Sequence, residues 1–266
     1  TYCIEAMMQD GKALQAGTSH FLGQNFARAS QIMFTARDRS RQYAWTTSWG
    51  VSTRLIGGLV MTHGDDNGMV VPPRIAPAHV AVLPIIRRDE DRATVLPWCE
   101  RLMAELREQR YDGRPVEVVL DTRDDNAGER GWAWIKRGIP IRAEVGPRDI
   151  ARDSVFVGRR DRAPRDRSSV PRAEFVATIA ATLDDIQRGL LERARAFRET
   201  HTRTLDTWDD FRSFFTPANP EKPEIHGGFA LAHWCGSPDC ERAINEELSV
   251  TIRCLPTGYG QGAPGA

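Results

Sequence analysis

The sequence predicts an α/β protein, and three observations support this prediction. Apolar runs typical of buried strands alternate with helical segments in the middle of the chain. A strand-like aromatic stretch leads directly into an apolar helix near the start, and a long amphipathic helix follows later. The length of 266 residues suits about two domains. No stretch approaches the roughly 18 consecutive apolar residues of a membrane-spanning helix, so we expect no membrane partner.

The first segment, residues 1–77, predicts a strand followed by a helix. Gln42 to Trp49 is aromatic and rich in threonine, which favours a strand. Ser52 is suited to cap the apolar helix that follows and stops at Gly64. Three prolines in residues 70–77 then favour a rigid, extended exit.

The second segment, residues 78–172, predicts a small domain with a parallel or mixed sheet. Its apolar runs at 79–86 and 116–121 are typical of buried strands, and a helix is expected over 91–110 between them. A short helix ending at Gly138 and two more strands follow. This alternation of strands and helices is characteristic of α/β domains.

The last two segments are residues 173–215 and residues 216–266. The former predicts a connecting segment that begins with a long helix, because apolar residues recur at helical spacing from Phe175 to Ala194. The latter begins with a Pro-rich linker and continues as a small α/β module that contains three cysteines.

Charge and cysteine content restrict the function classes. The chain carries 36 basic and 36 acidic residues, but residues 122–172 hold 13 basic and 8 acidic residues, a net charge of +5. This excess is compatible with a polyanionic partner and equally with an ordinary solvated surface. Five widely spaced cysteines and no signal peptide favour a reducing, cytoplasmic location. The start at Thr1 favours a processed product or a fragment.

Polar residues stand among apolar ones in the stretch from Leu14 to Phe26. Gln15, Thr18 and His20 are bracketed there by leucine and phenylalanine. Polar side chains in apolar surroundings need hydrogen-bond partners. Either the fold or a bound polar ligand must supply them.

Arg54 predicts an anion site at the start of the first apolar helix. The free backbone N–H groups of a first helical turn favour an anion, and a guanidinium is suited to phosphate. An arginine there opposes the helix dipole unless an anion is bound. An ordinary surface salt bridge is the alternative.

Two clusters offer metal-binding side chains. His63, Asp65 and Asp66 could hold a metal ion, although a helix C-cap followed by an Asx-rich loop explains them more simply. Cys235 and Cys240 lie five residues apart across a turn, which suits half of a zinc site. Free thiols are the alternative for this pair.

Long motifs carry a resemblance to a known family. The chain contains, in this order, GKALQAGTSHFLGQNF, TTSWGVSTRLIGGLVMTHGDDNGMVVPPRIAP, KRGIPIRAEVGPRDI, RARAFRETHTRTLD and GFALAHWCGSPDCERAINEE. Together they resemble the prolyl-tRNA synthetases of the archaeal/eukaryotic-like type, which also occur in some bacteria. The resemblance covers essentially the whole chain.

The resemblance implies a fold and a set of site residues. Residues 1–77 resemble part of the antiparallel-sheet catalytic domain of a class II synthetase, with its motif 3 at SWGVSTRLIGG. The ATP-binding residues of the family fall on Gln15, Thr18, Ser52 and Arg54, with Arg54 stabilising charge in catalysis. The proline-binding residues fall on His20, Trp49 and Gly50.

The resemblance also implies partners and cofactors. Residues 78–172 resemble an anticodon-binding domain, where we expect Arg123, Arg130, Trp132 and Arg148 to contact tRNA(Pro). L-proline, ATP and Mg²⁺ are the implied substrates and cofactor, with Zn²⁺ at Cys235 and Cys240 as a further candidate. A homodimer is expected for the full-length protein.

Two departures from the family qualify these expectations. Class II motifs 1 and 2 are absent, and so is the second cysteine pair of the zinc-binding forms, so we expect a chain truncated at both ends and inactive alone. The alternatives are a non-catalytic tRNA-binding or regulatory relative, and a metal-dependent hydrolase that uses His63, Asp65 and Asp66.

Overall fold

The computed structural model describes residues 1–219, 221 and 226–257 and divides the chain into two compact units. The first unit comprises Thr1–Thr62 and Phe197–Ala266, and the second comprises His63–Ala196. The four segments expected from the sequence stay predictions, since these units follow three-dimensional contacts rather than sequence composition.

The amino-terminal part of the first unit is built on an antiparallel sheet in the order β1-β2-β5. A separate hairpin pairs β3 with β4. The elements are β1 (Tyr2–Met7), β2 (Ala13–Gly23), α1 (Asn25–Ala29), β3 (Met33–Thr35), β4 (Arg41–Tyr43), β5 (Thr46–Gly50) and α2 (Arg54–His63). Within this unit, Gly58 of α2 lies against Leu14 of β2, where a Cβ on the glycine would come within 2.7 Å of a leucine methyl group.

The single strand predicted over Gln42 to Trp49 is two strands. Its first part pairs with β3 and its second part pairs with β2. Between them the Ala44 N–H donates to the Ile32 carbonyl at 3.1 Å, outside both ladders. The composition of the stretch favours extended backbone throughout, and it holds no signal for this change of partner.

The second unit contains a five-stranded mixed sheet in the order β12-β11-β10-β6-β9. Strands β10, β6 and β9 are parallel, whereas β11 and β12 are antiparallel to their neighbours. The predicted α/β fold is therefore confirmed. The elements are β6 (Val80–Pro84), α3 (Asp89–Glu108), β7 (Arg110–Tyr111), β8 (Arg114–Pro115), β9 (Val118–Leu120), α4 (Ala127–Arg137), β10 (Ile141–Val145), α5 (Pro147–Ile150), β11 (Ser154–Arg159), β12 (Arg167–Pro171) and α6 (Arg172–Thr200).

The core of the second unit is formed by its central strands and by α3 and α6. All five residues of β6 are buried, as expected for a strand covered on both faces. The predicted apolar face of α6 is buried as well, since Phe175, Ile179, Leu183, Ile186 and Leu190 are each at most 4% exposed. The helix thus packs along the domain instead of only connecting it to the next segment.

Helix α4 ends where the sequence predicts. Gly138 follows its last residue in the left-handed conformation, with φ of 76°. A Cβ at Gly138 would come within 2.6 Å of the Met69 carbonyl oxygen, so the position requires glycine on steric grounds as well.

The carboxy-terminal part of the first unit contains short elements. Strands β13 and β14 form a parallel pair, in which Thr202 lies opposite Phe229. The capping side chains of the two helices are Thr207 and Ser237. The elements are β13 (Thr202–Thr204), α7 (Trp208–Phe215), β14 (Phe229–Leu231) and α8 (Pro238–Leu248).

Candidate functional site

Gln15, Thr18 and His20 share one face of β2. Because residues alternate between faces of a strand, Gln15 and Thr18 should point to opposite sides of a regular sheet. A bulge at Ala16 of β2 shifts the register between Ile4 and Glu5 of β1, so that Thr18 lies opposite Cys3 while Gln15 lies opposite Glu5. The bulge therefore aligns three polar side chains along one surface, which we call the polar face.

The polar side chains of this face have few internal partners. The ring Nδ1 of His20 lies 3.0 Å from the Thr1 hydroxyl. Among the described residues, the side chains of Gln15 and Thr18 make no hydrogen bond. The Gln15 amide and the Thr18 hydroxyl thus lie on the same face without hydrogen-bond partners, and a polar ligand could supply them.

Strand β5 borders the polar face with small residues. Ser48 lies opposite His20, and Gly50 lies opposite Thr18. Trp49, which we expected in the wall of the proline pocket, pairs with Ser19 on the opposite face and is 78% exposed. The alternation of β5 places Trp49 on the other face from Gln15, Thr18 and His20, and its contact with proline stays a prediction.

Arg54 begins α2, four residues beyond Gly50. The Ser52 hydroxyl accepts the backbone N–H of Arg54 at 3.3 Å, as expected of an N-cap. The first turn of α2 contains no acidic residue, and Arg54 makes no ion pair with any described residue. The alternative, a surface salt bridge, is therefore not found in the described part of the chain, and an exposed guanidinium remains at a helix N-terminus.

The four predicted tRNA-contacting residues differ in how accessible they are. Arg148 is exposed and unpaired among the described side chains, and Trp132 is 41% exposed. Arg123 is partly exposed and engages Asp121 and Asp125. Arg130 is only 6% exposed and donates to the carbonyl oxygens of Asp121 and Pro84, each at 2.6 Å. Arg130 therefore stabilises the fold through these two hydrogen bonds, and its contact with tRNA stays a prediction.

Asp121 follows β9, an edge strand of the mixed sheet, and collects several hydrogen bonds there. Its carboxylate accepts two N–H groups of the Arg123 guanidinium at 3.0 and 2.7 Å, and the Trp134 indole N–H at 2.7 Å. These donors, chiefly Arg123, lower the pKa of Asp121 to about 2.

The His63, Asp65 and Asp66 cluster is a structural turn. Both carboxylate oxygens of Asp65 accept hydrogen bonds from the buried Arg160, at 2.8 and 2.6 Å. Asp65 Oδ1 also accepts the Asn67 N–H at 2.9 Å, which forms the expected Asx turn. The Arg160 hydrogen bonds lower the pKa of Asp65. Because both Asp65 oxygens already accept hydrogen bonds from Arg160, Asp65 is not free to bind the metal ion that the hydrolase hypothesis requires.

Cys235 and Cys240 are exposed free thiols. The neighbouring Cys240 thiol lowers the pKa of Cys235, and Cys235 in turn raises the pKa of Cys240. Across residues 1–219, 221 and 226–257, no group of three or more His, Cys, Asp or Glu side chains could hold a metal ion. The described residues thus offer two of the four ligands of a structural zinc site and do not complete it.

Comparisons with known proteins assign the chain to a family. A model of the anticodon binding domain matches residues 79–182, and a model of the prolyl-tRNA synthetase C-terminal domain matches residues 222–264. Proline–tRNA ligase 2 of Anaeromyxobacter dehalogenans is 57% identical over 265 residues, which are 98% of this chain and 52% of that protein. The chain belongs to the prolyl-tRNA synthetase family. The family's anticodon-binding domain therefore spans the mixed sheet and the start of α6.

Other relatives agree with this assignment. The proline–tRNA ligases of Protochlamydia amoebophila and Bdellovibrio bacteriovorus are each 52% identical over 96% of this chain. The chain covers 50% of each of these two proteins, so it spans about half the length of the curated relatives it matches. Among the helices of the described residues, none is long and apolar enough to cross a bilayer.

One residue on the polar face, Glu5, and its partner Arg253 were not found by the sequence analysis. Glu5 lies on this face opposite Gln15, and its carboxylate pairs with Arg253 at 2.9 Å. The alternation in the strand YCIEAM was the available signal, because it places Cys3, Glu5 and Met7 on the covered side. No sequence pattern connects Glu5 with an arginine 248 residues away.

Proposed function

We propose that this chain is part of a proline–tRNA ligase, which activates L-proline with ATP and transfers it to tRNA(Pro). The observation that supports this most strongly is the polar face, where a bulge aligns Gln15, Thr18 and His20 beside the strand that leads to Arg54. We propose in addition that the protein is located in the cytoplasm.

In the proposed reaction, the proline carboxylate attacks the α-phosphorus of ATP and pyrophosphate leaves. Gln15, Thr18 and Ser52 bind the nucleotide, while His20 and Gly50 border the proline. Arg54 and the free N–H groups of the first turn of α2 stabilise the negative charge on the phosphates, together with the Mg²⁺ that accompanies ATP. Positioning and charge neutralisation suffice, so no side chain acts as acid or base.

The second step transfers the prolyl group from the adenylate to the 3′ end of tRNA(Pro). Arg123, Trp132 and Arg148 are the proposed tRNA contacts in the second unit, through phosphate pairing and base stacking. Cys235 and Cys240 form half of the proposed Zn²⁺ site. The homodimer is proposed for the full-length protein.

The test is ATP–pyrophosphate exchange with the complete reading frame, across the twenty amino acids. We expect exchange with proline alone and a loss of about 100-fold or more in Arg54→Ala, as for other preorganised charge-stabilising groups. Arg37→Ala is the matched control, because Arg37 is exposed and unpaired in the described part of the chain. A folded protein without exchange for any amino acid would favour the non-catalytic tRNA-binding relative.

A further inference from the structure

Glu5 is a buried carboxylate with one unsatisfied oxygen. Its side chain is only 8% exposed. Oε2 accepts the Nε and Nη2 groups of Arg253 at 3.1 and 2.9 Å. Oε1 is shielded from solvent and has no hydrogen-bond partner among the described residues. A buried acceptor left in this state is costly, so the site requires a donor.

The residue directly across the ladder carries a donor of the right kind. Glu5 pairs with Gln15, and paired side chains on one face of an antiparallel sheet have Cβ atoms about 4.5–5.5 Å apart. The Gln15 amide has no partner among the described residues either. An unsatisfied acceptor therefore lies opposite an unsatisfied amide, at the position where the bulge aligns the polar face.

We propose that Glu5 is a positioning residue that fixes the orientation of the Gln15 amide. A carboxylate can only accept hydrogen bonds, so Gln15 must present its NH₂ group to Glu5 Oε1. The amide carbonyl then points away from Glu5 and offers the nucleotide an acceptor, for an amino group or a phosphate-bound cation. This inference rests on the proposed function and adds the direction in which Gln15 binds.

Arg253 gives the arrangement its charge balance. A bare carboxylate beside a polyphosphate site would repel the ligand, and the two N–H groups from Arg253 compensate that charge. Arg253 follows α8 in the carboxy-terminal part of the first unit, so this part supports the polar face through the Arg253–Glu5 ion pair. Arg253 is thereby a second positioning residue, one step further from the ligand.

The kinetic test compares Glu5→Gln with a matched control in the complete reading frame. We expect the KM for ATP to rise about tenfold, because one charge-assisted hydrogen bond is lost, and the KM for proline to change less than twofold. The control is Glu247→Gln, which breaks the 2.9 Å ion pair with Arg212 in the same unit and should change neither constant. Equal changes in both KM values, or no change, would overturn the proposal.

A second measurement does not depend on activity. In ¹⁵N NMR spectra of the 266-residue chain, we expect the Gln15 side-chain amide, assigned by its loss in Gln15→Leu, to be protected from exchange. Protection should disappear in Glu5→Gln. It should persist in Arg253→Lys, which keeps both the Glu5 carboxylate and a positive charge. Arg253→Lys is the variant to measure if Glu5→Gln does not fold. A Gln15 amide that is unprotected in the wild type refutes the positioning role of Glu5. The absence of proline-dependent ATP–pyrophosphate exchange refutes only the proposed function.

Discussion

Asp121→Asn tests whether one carboxylate secures the carboxyl end of the second unit's sheet. Asp121 follows β9 and its side chain is 2% exposed. It accepts hydrogen bonds from the Arg123 guanidinium and from the Trp134 indole. An asparagine keeps the size of the side chain but has one acceptor oxygen, and its NH₂ group would face donors.

The expected loss follows from the pKa of Asp121. Its fall from 3.8 to about 2 amounts to about 2 kcal/mol of stability, at roughly 1.36 kcal/mol per pKa unit. Since the unfolded state binds more protons between these two values, the contribution is complete above pH of about 4 and is lost as the pH falls to about 2. Asp121→Asn should therefore destabilise the second unit by about 2 kcal/mol at pH 6 and progressively less below pH 4.

Hydrogen exchange of amides in β6 and β9 measures this stability locally, and the Trp134 indole resonance reports the lost hydrogen bond. Asp125→Asn is the control, because Asp125 is 52% exposed and 3.5 Å from Arg123, so it should cost less than about 1 kcal/mol. The reasoning from the pKa is refuted if Asp121→Asn loses no more stability than Asp125→Asn at pH 6. It is also refuted if Asp121→Asn loses as much stability at pH 3 as at pH 6.

Three further substitutions probe the fold by thermal or urea unfolding. Gly138→Ala should cost at least about 1 kcal/mol, because its Cβ would meet the Met69 carbonyl at 2.6 Å in a left-handed residue. Burial lowers the pKa of His79, so stability should decrease as the pH falls below 6.5, and His79→Gln should weaken this dependence. Leu183→Ala should cost about 2–5 kcal/mol, whereas Leu191→Ala, at an exposed site, should cost less than about 0.5 kcal/mol.

The second unit was predictable because its signals are local. The buried strand β6 is a continuous apolar run, and Gly138 ends α4 through a conformation that glycine adopts readily. The apolar face of α6 follows a helical period. Each signal lies within one element and needs no knowledge of its partners.

The polar face was predictable only in its residue types. The sequence, with the family resemblance, identified Gln15, Thr18 and His20, but the bulge that aligns them arises from pairing with β1. The position of the Trp49 side chain likewise depends on the register of β5 with β2. Register and long-range ion pairs join distant segments, and a single sequence carries no local mark of them.

The Arg160 interactions set an order of events during synthesis. Its guanidinium donates to Asp65, which precedes it by 95 residues, and to the carbonyl oxygens of Gly68 and Ile135. On a ribosome, the turn after α2 emerges long before its partner arginine does. The hydrogen bonds within the turn at 65–68 can form early, whereas those from Arg160 can form only when nearly all of the mixed sheet has been made.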